Sequence, residues 1–118
     1  MTAKMKISRK DPWGKPKAPG ALQIYLDDQP IGDLPNKTQM DFTIPAGRHT
    51  LTARCVMKAG AFERPKSYEI TRPITFETEV GERLHFHFAP SGSGLPEPIS
   101  MKKRREWVKQ LYAIARVN

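Results

Sequence analysis

The chain has 118 residues, 38% of them hydrophobic and 27% charged, with a formal net charge of +8. That is one ordinary domain, long enough to bury a core without staples and too apolar to stay unfolded throughout. The single Cys excludes an internal disulfide and a cysteine-rich zinc site, and no apolar run approaches the roughly 20 residues of a membrane-spanning helix.

Residues 1–20 read as a basic, Pro/Gly-rich lead-in. Lys4, Lys6, Arg9, Lys10, Lys15 and Lys17 face Asp11 alone among the acids there. The run DPWGKPKAPG (11–20) cannot continue a helix or a central strand, and Trp13 is expected to dock on the domain. The start has no apolar signal core, so a cytoplasmic location is expected, with an envelope association if the chain is a fragment.

From Ala21 the apolar period becomes two. Leu22, Ile24 and Leu26 share one face, Asp27-Asp28-Gln29-Pro30 signals a turn, and Ile31 to Leu34 is a short return strand. Met40, Phe42 and Ile44 alternate next, and Pro45-Ala46-Gly47 turns the chain into a strand carrying Leu51, Ala53, Cys55 and Met57. After an exposed connection over 58–66, strands follow at Tyr68 and Ile70, at Ile74, Phe76, Thr78 and Val80, and at Leu84, Phe86 and Phe88. Seven short strands over 21–89 at this spacing predict an all-β, antiparallel seven-stranded β-sandwich of Ig or prealbumin type. A parallel sheet is not expected, because the chain has no room for crossover helices.

Residues 90–98 have the composition of a flexible linker. Residues 99–118 then predict one C-terminal α-helix, with Trp107, Val108, Leu111, Tyr112, Ile114 and Ala115 at helical spacing. Lys102, Lys103, Arg104 and Arg105 fall in its first turns, against the helix dipole. A basic clamp followed by aromatic and aliphatic groups makes Lys102, Lys103, Arg104, Arg105, Trp107, Lys109 and Leu111 the candidate residues for a partner or for phosphate.

The stretch LQIYLDDQPIGDLPNKTQMDFTIPAGRHTL (22–51) resembles the small β-sandwich modules of the PEGA type. The matching positions are Asp27-Asp28, Gly32, Phe42, Pro45, Gly47 and His49, and TFETEVGERLHFHF (75–88) resembles their closing hairpin. Asp28 stands where that family usually has Gly. The resemblance covers about residues 21–89 and implies a non-enzymatic scaffold or ligand-presenting module in bacteria.

No motif for catalysis appears. His85 and His87, two apart on one strand, share a face and are the secondary candidates for metal, but Arg83 on that face would repel a cation, so no metal is expected. Asp27, Asp28 and Asp33 read as turn residues, and Cys55 as an inert buried thiol. No cofactor and no small-molecule substrate are expected. The leading functional reading is an interaction module that binds another protein through sandwich loops or the C-terminal helix. The alternative is sequence-nonspecific binding of nucleic acid, or of an anionic membrane surface, by the two basic ends.

Overall fold

Strand periodicity translates into two facing sheets in the computed structural model, which describes residues 1–10, 20–57, 64–90, 109 and 111–117. The strands are β1 (Thr2–Arg9), β2 (Leu22–Leu26), β3 (Gln29–Leu34), β4 (Thr38–Pro45), β5 (Gly47–Met57), β6 (Lys66–Glu69), β7 (Ile74–Thr78), β8 (Arg83–Pro90) and β9 (Tyr112–Arg116). One sheet has the order β4-β1-β8-β9. The other has the order β3-β2-β5-β6, with β7 also paired to β5.

The turns carry the chemistry expected of them. Asp27 and Asp28 both adopt positive φ, 52° and 65°, which gives the two-residue β2–β3 connection the handedness a tight hairpin needs. Gly32 serves a different purpose. A Cβ there would lie 3.2 Å from Met40 Cε and from Phe42 Cζ, so the missing side chain lets β3, at the edge of one sheet, close against β4 of the other.

The core is the inward set of both sheets. Leu22, Ile24, Leu26, Ile44, Leu51, Ala53, Cys55, Phe76, Leu84, Phe86 and Phe88 are buried as their phasing predicts, while Met40, Phe42 and Ile74 are half-buried at its margin. Phe76 and Phe86 meet across the sheets with ring centroids 4.9 Å apart, a tilted packing that adds to simple area burial.

Three expectations need correction. The antiparallel seven-stranded sandwich with a C-terminal helix is replaced by a mixed arrangement in which the described residues form nine strands and none of them is helical. Tyr112–Arg116 is strand β9, antiparallel to β8, with Phe88 opposite Ile114 and Phe86 opposite Arg116. Its apolar groups satisfy an edge of the first sheet, and Val117 N–H continues the pairing by donating to the His85 carbonyl at 2.8 Å. The rest of the expected helix, 99–108, 110 and 118, lies outside the described residues, as do Trp13 and the linker over 91–98.

The second correction concerns the lead-in. Thr2–Arg9 is an inner strand, flanked by β4 and β8. Ala3, Met5 and Ile7 are buried, and the strand is fastened at its start by Lys4 N–H to the Glu82 carbonyl and by Gly81 N–H to that of Thr2. The third is the sense of pairing, because β1 runs parallel to β8. Parallel neighbours need a long connection, and here that connection carries β4 and all the strands of the second sheet.

At one end of the sandwich a buried cation ties the layers together. Arg9, 1% exposed, points inward from β1. Its Nη1 donates to the Gly20 and Leu34 carbonyls, each at 3.0 Å, and its Nη2 to Tyr112 Oη at 3.1 Å. The guanidinium also stands 5.3 Å from the centre of the Tyr112 ring. Tyr112 in turn donates its N–H to Ile70 O at 3.0 Å and bridges Thr71, so β9 of one sheet touches the edge of the other.

Candidate nucleic-acid interface

Alternation puts Lys4, Lys6 and Ser8 of β1 on the outer face of the first sheet, because Ala3, Met5 and Ile7 fill the core. The same logic turns Arg83, His85, His87 and Ala89 of β8 outward. The parallel register then aligns Lys4 with Arg83, Lys6 with His85 and Ser8 with His87. On the far sides lie Thr43, Asp41 and Gln39 of β4, and Ala113 and Ala115 of β9. Lys10 extends the β1 column beyond the strand. Among the described strand residues of this face, Lys4, Lys6 and Arg83, with Lys10 just beyond, are accompanied by the carboxylate of Asp41.

Placing Lys4 beside Arg83 costs stability, since like charges on adjacent strands repel. The outer face of the second sheet avoids that cost. There Arg48 sits opposite Glu77, and Arg54 opposite Glu69. Among the described residues, opposite charges thus face each other across strands of the second sheet, while Lys4 and Arg83 stand side by side on the first.

Ser8 organises the centre of the basic face. Its Oγ lies 2.8 Å from His85 Nε2 and 2.8 Å from His87 Nδ1. A hydroxyl has one proton to give, so with both rings neutral it donates to one and accepts an N–H from the other. Two hollows open to solvent flank this cluster. One of about 340 Å³ is lined by Lys4, Lys6, Asp41, Arg83, Leu84 and His85. The other, about 630 Å³, lies at Ser8, Lys10, Lys37, Thr38, Gln39 and His87.

The structure separates the other candidate residues. Lys102, Lys103, Arg104, Arg105 and Trp107 lie outside the described residues. Lys109 is exposed, and Leu111 is buried in the core, not displayed to a partner. His85 and His87 converge on Ser8, and among the described residues no group of three or more His, Cys, Asp or Glu could hold a metal ion. Cys55 is buried. Burial pushes its thiol pKa up, only partly offset by a Gly20 backbone hydrogen bond and the Arg9 charge, so it remains a protonated packing group.

His49 behaves differently from the sheet-face histidines. It is buried, with Nδ1 2.6 Å from Asp27 Oδ2 and Nε2 2.6 Å from Pro45 O. Both partners accept, so the ring that satisfies both is the imidazolium. Burial opposes that charge, but the hydrogen bonds to Asp27 and Pro45 and the Asp27 charge outweigh it and hold the His49 pKa above 6.5. Asp27 is opposed by burial too, yet bonds from His49 and the Thr50 N–H, with the His49 charge, keep its pKa below 3.8. The pair clamps the β2–β3 turn to the start of β5.

A raised histidine pKa contributes stability that is complete below the unfolded value, about 6.5, and fades as pH rises through the folded value. A lowered aspartate pKa contributes above its unfolded value, about 3.9, and fades as pH falls through the folded one. The clamp is therefore strongest between about pH 4 and 6.5. The urea midpoint should fall as pH rises from 6.5 to 9. His49→Gln should cost about 1–2 kcal/mol at pH 5.5, the lower part of the charged hydrogen-bond range because Asp27 is partly exposed, and less at pH 9. Identical pH profiles for the two proteins would contradict the clamp.

No family model matches the chain, and no curated protein or solved structure matches it either.

Proposed function

We propose that this chain is a non-enzymatic module that binds nucleic acid through the outer face of its first sheet, holding phosphates without reading base sequence. The observation that carries this reading is the register of β1 on β8, which sets Lys4 beside Arg83 and Lys6 beside His85. A phosphate backbone suits such a column of cations, because each neutralised phosphate releases a condensed counterion. Of the two elements expected to bind a protein partner, sandwich loops or a C-terminal helix, the second is replaced where described by strand β9. The resemblance to PEGA-type modules is compatible with a scaffold that presents such a face and supplies no catalytic groups.

Fluorescence anisotropy with two oligonucleotides of unrelated sequence tests this. Both should bind at 50 mM salt with similar affinity. With three or four phosphates engaged, affinity should fall by about 20- to 150-fold between 50 and 200 mM salt. Affinity that ignores salt, or strong preference for one sequence, would overturn the reading. So would binding to anionic vesicles with none to either oligonucleotide.

A further inference from the structure

We infer that the preferred ligand of this face is a single strand, with its phosphates along β1 and its bases over β8. This rests on the nucleic-acid reading above and specifies what that reading leaves open. Two neighbouring columns carry the inference. The β1 column presents Lys4 and Lys6, then Ser8, then Lys10, spaced about 6.6–6.8 Å for each two residues. The β8 column, roughly 4.8 Å to one side, presents His85 and His87 at the same spacing. Cations on one line and planar rings on the next match a polymer whose backbone is anionic on one side and whose bases project to the other.

Ser8 makes the rings usable. Hydrogen bonds at Nε2 of His85 and Nδ1 of His87 hold both imidazoles by their edges and fix the orientation of each ring. Histidine is among the side chains on which unstacked bases lie, and such stacking tolerates any base. Beyond the histidines the floor is low. Ala115 is the cross-strand neighbour of His87, and Ala113 that of Ala89. Methyl groups there leave a shelf beside His87 for the outer edge of a base, while the exposed Val117 borders His85 and offers apolar surface at the other end. A duplex keeps its bases stacked inside and offers only phosphates to this face, so the β8 column and the alanine shelf would gain it nothing.

The test compares a 12-nucleotide oligothymidine with a 12-base-pair duplex, at pH 8 and 50 mM salt, on the wild-type chain and on H85Q/H87Q. Glutamine retains hydrogen-bonding capacity toward Ser8 and removes the ring, and unchanged thermal unfolding confirms the fold; S8A, which removes the hydroxyl shared by the two rings, is a second variant with a smaller perturbation. The single strand should bind at least about tenfold more tightly than the duplex. H85Q/H87Q should weaken single-strand binding about tenfold while leaving the salt slope unchanged, and S8A should weaken it by a smaller factor. Equal affinity for both ligands, or single-strand binding that H85Q/H87Q leaves intact, overturns this inference and leaves the phosphate reading standing. Binding of neither ligand overturns both.

Discussion

Replacing Arg9 with Met should lower the unfolding free energy by about 3–5 kcal/mol, read as a large drop in the urea midpoint at constant slope. The side chain is 1% exposed and serves the carbonyls of Gly20 and Leu34 and the Tyr112 hydroxyl. Methionine fills much of the volume but donates nothing, so the Leu34 carbonyl and the Tyr112 hydroxyl stay buried without this donor, each unsatisfied group costing about 1–3 kcal/mol before relaxation. Tyr112→Phe should cost about 1 kcal/mol alone. The double variant should cost less than the two single losses added, because both remove the same hydrogen bond. A midpoint unchanged by Arg9→Met would mean that β1 does not hold the layers together.

Leu111→Ala carries the second large effect, about 3 kcal/mol. Leu111 is 3% exposed and belongs to the core cluster, and truncating a buried leucine removes transfer energy and leaves a cavity. The same substitution on a displayed recognition element would leave stability unchanged. A urea midpoint that stays put would therefore place Leu111 outside the core and return this segment to the role of a partner-binding face.

Leu111 also shows where the sequence becomes ambiguous. Leu111, Tyr112, Ile114 and Ala115 satisfy a helical spacing, yet Tyr112 and Ile114 satisfy a strand period equally well. Short apolar runs do not choose between the two. The open edge of β8, with Phe88 awaiting Ile114, makes the choice, and that edge is a tertiary fact. The seven strands from Leu22 to Pro90 were legible because long alternation and turn residues such as Asp27-Asp28 and Gly47 agree with each other.

The N-terminal strand carried a readable signal that its charge obscured. Ala3, Met5 and Ile7 alternate strictly with Lys4, Lys6 and Ser8. Arg9 then falls on the inward phase, where a cation argues against a core strand unless its hydrogen-bond partners are known. The basic face was legible only in part for the same reason. Lys4, Lys6 and Arg83 are visible as charges, but they share a site only through a parallel pairing between segments more than seventy residues apart. His49 was likewise visible, while its partners Asp27 and Pro45 come from two different turns.

Charge alone attracts a polyanion, so the claim that one face binds it is tested most directly by moving the loss of charge rather than its amount. K4Q/K6Q/R83Q removes three positive charges from the first sheet, and R48Q/R54Q/K66Q removes three from the second. Both variants have the same net charge and the same long-range attraction. At 50 mM salt the first should bind oligothymidine at least about tenfold more weakly than wild type, with a shallower salt slope, and the second should stay within about twofold. Equal losses in the two variants, or a larger loss in the second, would contradict the placement of the binding face on the first sheet.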